Sequence, residues 1–286
     1  MTETNRLALK FWGVRGSTPT PQSNNLSYGG NTPCVEIHVP DHPVIILDGG
    51  TGIRELGLHL VNERQGTPFS TKLFLTHFHW DHIQGIPFYP PLYDSQNVVS
   101  FYASGRNGGA EQMLTNQMQA PYFPVDLHLA AAKKEFFEID EDEVQIGEVT
   151  VHPFPLNHPQ GAMGYRAEFA GKTIVFATDV EHGDPELDMV LREYSQNADL
   201  LIYDAQFTPE EYERYREWGH STWLEATRVA ADSGVERLIL FHHDPGHADD
   251  TMEEIVQSAR RHFERTDAAR EGTEIVLARS AATSSF

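Results

Sequence analysis

The sequence predicts an α+β fold in which two β-sheets pack together and helices cover the outside. Three observations predict it. Strand-like apolar runs alternate with helical stretches in both halves of the chain. No linker, internal repeat or low-complexity tract interrupts them, so one domain spanning residues 1–286 is expected. Polar residues able to bind metal also recur just after apolar runs, at Asp48, His77, Asp179, Asp204 and His242. Loops at the ends of core strands are where a rigid scaffold presents chemistry.

Taken in order, Leu7–Trp12 alternates into Gly13, and Cys34–Val39 alternates cleanly, as half-buried strands do. Between Trp12 and Pro33 lies a turn-rich stretch of Gly, Ser, Thr, Pro and Asn, too long for a simple turn and placed to cover part of a site. Within it, Arg15 and Asn31 are candidates for substrate contact, although glycine-driven turn geometry explains the same residues. Pro43–Leu47 is a strand ending at Asp48-Gly49-Gly50, and Ile53–Asn62 reads as a helix. The apolar run Leu73-Phe74-Leu75 is a buried strand. Gly85–Pro124 mixes aromatics and prolines around a helix near Ala110–Gln119. Strands resume at Glu135–Ile139, Val149–Val151, Tyr165–Phe169 and Lys172–Ala177. A helix over Glu186–Ser195 precedes a buried strand, Leu200–Tyr203, that ends at Asp204. Helix Thr222–Ser233, strand Arg237–Phe241, a long amphipathic helix from Thr251 to about Arg265 and strand Glu274–Ala278 complete the chain.

Composition narrows the function classes. The absence of any run of eighteen or more apolar residues excludes a transmembrane helix. Met1–Arg6 lacks the basic-then-apolar pattern of a secretory signal, which points to the cytoplasm. The single cysteine, Cys34, permits no intrachain disulfide and reads as a small buried apolar residue. Forty-two acidic against 21 basic residues give a formal charge of −21. Such a field repels polyanions, and no dense Lys/Arg run offsets it, so a nucleic-acid polymer is not the expected partner. Scarce lysine together with the acidity is also what adaptation to a salty interior would produce.

The segment Thr76-His77-Phe78-His79-Trp80-Asp81-His82 carries the most chemistry. Imidazole and carboxylate are the ligands that borderline divalent metals such as zinc prefer. Alternate residues of an extended segment point the same way, so His77 and His79 can converge on one ion. Asp81 and His82, where the chain turns, can reach a second. The pattern predicts a two-metal hydrolytic site and leaves little room for a merely histidine-rich surface loop.

This segment resembles the T-H-x-H-x-D-H signature of the metallo-β-lactamase-fold hydrolases, and the resemblance extends along nearly the whole chain. It implies an αββα sandwich with two mixed sheets. It also implies that His158, in Leu156-Asn157-His158-Pro159, is the third histidine, that Asp179 bridges the two metals, and that His242 is the last histidine. His77, His79 and His158 would then hold metal one, and Asp81, His82 and His242 metal two, with zinc the expected ion and manganese the alternative. Asp179 alone could instead be a helix N-cap, a common role for Asp after a strand. His242 competes with its neighbour His243, and more distantly with His247; alternation lets one of the adjacent pair point inward, and His242 directly follows the apolar run.

Two further elements are similar to the phosphodiesterase branch that includes ribonuclease Z: Gly219-His220-Ser221-Thr222 and Tyr203-Asp204-Ala205. The resemblance implies a His220–Asp204 pair near the scissile phosphate, able to protonate a leaving alkoxide or stabilise the transition state. Asp81 could also orient the nucleophile. One departure is informative. Ribonuclease Z proteins carry an arm for tRNA between the third histidine and the bridging aspartate, but only 20 residues separate His158 from Asp179 here, reading as two strands with a Gly171-Lys172 turn. The expected activity is hydrolysis of a small phosphodiester, foremost a cyclic nucleotide. The alternatives are an armless RNA nuclease and a lactone, thioester or β-lactam hydrolase on the same metals. Relatives in the branch suggest a homodimer, with aromatics around Phe88–Tyr93 serving an interface or lining the pocket.

Overall fold

The computed structural model describes residues 6–140 and 142–278. The first half builds β1 (Arg6–Gly13), β2 (Cys34–His38), β3 (Val44–Leu47), α1 (Gly52–Arg64), β4 (Ser70–Phe74), the one-turn helix α2 (Trp80–Ile83), β5 (Val98–Ala103), α3 (Gly109–Gln117) and β6 (Lys133–Glu138). The second half builds β7 (Val144–Ile146), β8 (Val149–Leu156), β9 (Ala162–Phe169), β10 (Lys172–Ala177), α4 (Pro185–Ser195), β11 (Leu200–Asp204), α5 (Pro209–Tyr215), α6 (Trp223–Asp232), β12 (Leu238–Phe241), α7 (Asp249–Arg260), β13 (Thr266–Ala268) and β14 (Glu274–Ala278).

These strands form two 7-stranded sheets, ordered β14-β1-β2-β3-β4-β5-β6 and β13-β12-β11-β10-β9-β8-β7. Each is half antiparallel and half parallel. In the first, β14 to β3 run antiparallel and β3 to β6 parallel. In the second, β7 to β10 run antiparallel and β10 to β13 parallel. Alternate residues explain the layering. Leu7, Leu9, Phe11, Ile45, Leu47 and Phe74 of the first sheet share one buried cluster with Val151, Tyr165, Ile174, Phe176, Ile202 and Phe241 of the second. The opposite faces bury Val44, Ile46 and Leu73 beneath α1, and Val175, Leu201 and Leu240 beneath α4 and α6. A strand buried on both faces loses its alternation, which is why these segments read as continuous apolar runs. The αββα sandwich expected from the sequence is the fold observed.

Four elements were not expected. β5 and β7 form strands, α5 follows Thr208, and β13 pairs with β12. The long helix expected to reach Arg265 stops at Arg260, because Leu238, Ile239 and Leu240 pair with Thr266–Ala268 and the chain turns to supply them. β5 lies in a stretch dense with proline and aromatics, where its own Val98–Ala103 pattern is masked, yet it is a central strand with Phe101 and Val99 fully buried. Cys34 is buried, as expected. Among the described residues, no helix is long and apolar enough to cross a membrane.

The parallel halves decide where chemistry can sit. In open parallel sheets, ligands collect outside the carboxyl ends of the strands. Here β3, β4, β10, β11 and β12 deliver Asp48, His77, Asp179, Asp204 and His242 respectively.

Candidate metal centre

After β4 the chain bends at Thr76 and is extended again at His79, with ψ of 152°, before α2 turns. Extension places His77 and His79 on one side, and the single helical turn then presents Asp81 and His82. Leu75 and Thr76 are fixed by backbone bonds to both sheets: Leu75 N donates to Tyr102 O at 2.8 Å, and Met163 N donates to Thr76 O at 2.9 Å.

All the metal-competent residues expected from the sequence converge. Ligand atoms of His77, His79 and His158 lie within 4.8 Å of one another, as do those of Asp81, His82 and His242. Asp179 stands between the two groups. Its Oδ2 lies 3.2 Å from His82 Nε2 and 3.4 Å from His242 Nε2. Its Oδ1 lies 3.8 Å from His77 Nε2 and 3.9 Å from His158 Nε2. Asp81 Oδ2 is 3.3 Å from His82 Nε2 and 3.2 Å from His242 Nε2. His158 Nε2 faces His79 Nδ1 at 3.2 Å.

Each imidazole is held from behind through its other nitrogen. His82 Nδ1 pairs with Asp48 Oδ2 at 2.8 Å, His158 Nδ1 with the Gly219 carbonyl at 2.8 Å, and His242 Nδ1 with Gln206 Oε1 at 2.9 Å. His79 Nε2 meets Gln160 Oε1 at 3.0 Å, and His77 Nδ1 meets Thr76 Oγ1 at 3.0 Å. Such outer contacts fix tautomer and ring orientation in metal sites. Sequence reasoning missed Gln206, Gln160 and the Gly219 carbonyl, which lie far from the motif in the chain. Asp48 was singled out by its position after a strand, but its partner was not legible.

The donor set fits divalent metal. His77 Nε2 and His82 Nε2 are fully buried and make no hydrogen bond. Buried polar atoms normally find partners, so two such orphans aimed at one carboxylate mark places for a cation. Burial would raise the Asp179 carboxyl, but His242, His82 and His77 around it hold it well below the ordinary range. Asp81 is likewise held low despite its burial, by His82 and His242. Both carboxylates therefore stay ionised. Burial pushes His77 and His158 down, leaving their lone pairs free.

His220 sits beside the cluster, its ring stacked on His242 at 4.9 Å between centroids. Its Nδ1 pairs with Asp204 Oδ2 at 2.8 Å. Asp204 Oδ2 also accepts from Asp179 N at 3.0 Å, and Oδ1 accepts from Gln206 N at 3.0 Å and Ser221 N at 3.3 Å. Burial disfavours the imidazolium of His220, yet the Asp204 carboxylate overrides it and lifts the group to about 9. Thr222 caps α6 by accepting from Glu225 N, so the following turn has a structural role as well.

The neighbouring histidines separate cleanly. His243 points away; its Nε2 donates to Ala269 O at 2.8 Å, and burial pushes it down to about 3. His247 bonds Glu211 Oε1 at 2.9 Å. The Gly13–Asn31 loop proves largely structural. Arg15 is fully buried and donates to the carbonyls of Gly29, Asp244 and His247 at 2.9, 3.0 and 2.7 Å. Asn31 is occupied by Glu271 and Thr51. Neither is placed to contact substrate. The loop does reach the cluster elsewhere: Ser17 N donates to Asp81 Oδ2 at 2.7 Å. A Cβ on Gly16 would fall 2.5 Å from His242 Nδ1, so only glycine lets the loop close on that ring. Phe88 is 58% exposed and packs edge-on against Phe123; it lines no part of the cavity beside His77 and His79.

Known proteins match this architecture. A family model for the β-lactamase superfamily domain matches residues 44–243. Ribonuclease Z of Haloarcula marismortui is 26% identical, covering 90% of this chain and 92% of that protein. Among solved structures, the metallo-β-lactamase-fold protein YhfI from Bacillus subtilis aligns with a TM-score of 0.73 at 20% identity, over 96% of this chain and 100% of the other. The short form of human tRNase Z aligns with a TM-score of 0.65 at 19% identity, over 94% and 98%. The fold implies divalent metal ions, and the His/Asp cluster is compatible with them. Residues 44–243 run from β3 through the cluster to its last histidines, and by that match the chain belongs to the β-lactamase superfamily, as a metallo-β-lactamase-fold hydrolase similar to ribonuclease Z.

Proposed function

We propose that this chain is a two-metal phosphodiesterase acting on a small phosphodiester, foremost a cyclic nucleotide. The observation that carries the reading is the His220–Asp204 pair, a buried, carboxylate-oriented imidazole set against a metal cluster. His77, His79 and His158 would hold one ion, Asp81, His82 and His242 the other, and Asp179 would give one oxygen to each. Zinc suits the nitrogen-rich set, with manganese as second choice. Two such ions would supply Lewis acidity, making water a nucleophile near neutral pH and neutralising phosphoryl charge.

The protein's own groups do the rest. Asp204 accepts the Nδ1 proton of His220, which leaves Nε2 as the proton-carrying face toward the substrate. With Nδ1 engaged by Asp204, His220 is oriented to donate a proton from Nε2 to a departing alkoxide oxygen. Asp81, gripped by Ser17 N and His242, is rigid enough to orient the nucleophile. We read residues 1–286 as one cytoplasmic domain, with a homodimer through the Phe88 face as its assembly.

The test is direct. His220→Ala should lower kcat on a cyclic nucleotide, whose leaving alkoxide needs a proton, about a hundredfold, and on bis(p-nitrophenyl) phosphate far less, while metal content stays at two per chain. Loss of metal in that variant would make His220 a ligand instead, and turnover of lactones, thioesters or β-lactams in place of phosphodiesters would overturn the substrate class.

An RNA nuclease is the second reading, favoured by the ribonuclease Z relative that aligns over nine-tenths of both chains. Two observations weigh against it. β9 and β10 fill the span from His158 to Asp179, joined at Ala170-Gly171, so no arm emerges there. The charge of −21 also opposes a polyanion. Salt-sensitive binding of tRNA at low ionic strength would reverse the preference.

A further inference from the structure

A cavity of about 410 Å³ opens beside His77 and His79, and nothing in the proposed chemistry uses it. Phe78, Met113 and Met163 supply apolar wall, while Ser104, Arg106 and Asn107 supply its polar side. That volume, with apolar walls and a few convergent polar groups, is typical of a small-molecule site. Resting on the phosphodiesterase reading, but with an open nucleotide diester in place of a cyclic nucleotide, which has a single phosphate, we infer that the cavity receives the nucleoside part of the substrate and that Arg106 binds a second phosphate carried by it.

Among the described residues, Arg106 is the only arginine or lysine in the cavity wall. Among the described residues its guanidinium makes no ion pair and no hydrogen bond. Arg166, Arg192, Arg237 and Arg270 pair with carboxylates, whereas Arg64, Arg214 and Arg261 share with Arg106 the lack of such a partner among the described residues but line no part of this cavity. Acids do lie near Arg106. Asp140 accepts the Ser104 hydroxyl at 2.5 Å, and the Glu138 carboxylate lies against Gly105, yet neither forms an ion pair with Arg106. The backbone beneath the side chain is nonetheless fixed. Arg106 N donates to Ser104 Oγ at 3.2 Å, and Asn107, Gly108 and Gly109 follow with φ of 62°, 97° and 72°. Two of these three are glycines, which take positive φ freely, so Asn107 is the one residue here held in the left-handed region against its preference. A planar guanidinium matches two phosphate oxygens at once, which an ammonium cannot do.

The experiment compares p-nitrophenyl esters of thymidine 5′-phosphate with and without a 3′-phosphate, on the metal-loaded protein. The 3′-phosphate should lower KM at least tenfold with kcat little changed. In Arg106→Ala the ratio of the two KM values should collapse to about one, and Arg106→Lys should restore part of it. A dinucleotide ester, whose second phosphate is internal, separates the two sources: a comparable Arg106-dependent gain makes the ligand an oligonucleotide, and its absence makes it a phosphorylated mononucleotide. Equal KM values in the wild-type protein, or a gain that survives Arg106→Ala, would overturn the inference. Calorimetry with thymidine 3′,5′-bisphosphate against thymidine 5′-phosphate reads the same preference without turnover. If no phosphodiester is hydrolysed, the phosphodiesterase reading fails while the calorimetric pair still decides the site.

Discussion

At the scale of the residue, Asp179 shows how much one side chain can be asked to do. Its Oδ2 faces His82 and His242, its Oδ1 faces His77 and His158, and its backbone N–H donates to the carboxylate that orients His220. A neutral isostere would keep the shape and lose the charge that balances four imidazoles. His243 is its opposite, a histidine kept neutral by burial and taken out of the cluster by one bond to Ala269 O. Because its folded value is about 3 against an ordinary 6.5, the unfolded chain takes up a proton between those limits and the folded chain does not. Stability therefore falls as pH drops through that window, by about 2 kcal/mol at pH 5. Urea unfolding of the metal-free protein at pH 7 and pH 5 should show this loss, and His243→Gln, whose amide can still reach the carbonyl, should show about 2 kcal/mol less of it. An equal loss in both proteins would place the titration elsewhere.

At the scale of the element, strand ends are the repeated device. Asp48, Asp179 and His242 each follow a parallel strand, and each turns through a left-handed conformation with φ of 62°, 58° and 60°. Such a φ costs a non-glycine residue of order 1–3 kcal/mol and persists only where packing imposes it. The loop before α6 is equally constrained. Gly219 has φ of +88°, and a Cβ there would lie 2.4 Å from His158 Nδ1. Gly219→Ala is therefore expected to tilt the His158 ring, lower activity at least tenfold and cost about 2 kcal/mol of stability. Unchanged metal content and unchanged urea midpoint would show that the loop yields instead. This scale also explains what was legible. The run from Leu73 to His82 carried its own pattern, an apolar strand followed by ligand types at alternating spacing. β5 did not, because prolines and aromatics surround it and its strand character comes from neighbours on both sides. Asp204 was legible as a polar residue at a strand end, but its pairing with His220 was legible through resemblance alone, since their contact spans 16 residues with no local periodicity. Gln206, Gln160 and the Gly219 carbonyl carried no signal at all, because their partners are set by the tertiary fold.

At the scale of the whole molecule, net charge stands against the local ion pairs. With a formal charge of −21, self-repulsion opposes the compact state. Screening shortens from about 30 Å at 0.01 M to about 3 Å at 1 M salt. The thermal midpoint should accordingly rise as NaCl increases from about 0.01 to 1 M, and a midpoint that is flat or falls would mean that local ion pairs outweigh the net field. The sandwich has a second consequence. His77, His79, Asp81 and His82 come from the first sheet, whereas His158, Asp179 and His242 come from the second. Neither cluster is complete from one sheet: His158 is needed on one side and His242 on the other. The stretch from Leu73 to His82, so conspicuous in the sequence, is thus only half of a lock. A chain that kept this motif and lost the second sheet would look like a hydrolase in any catalogue of motifs, yet competence would have gone with the missing seam.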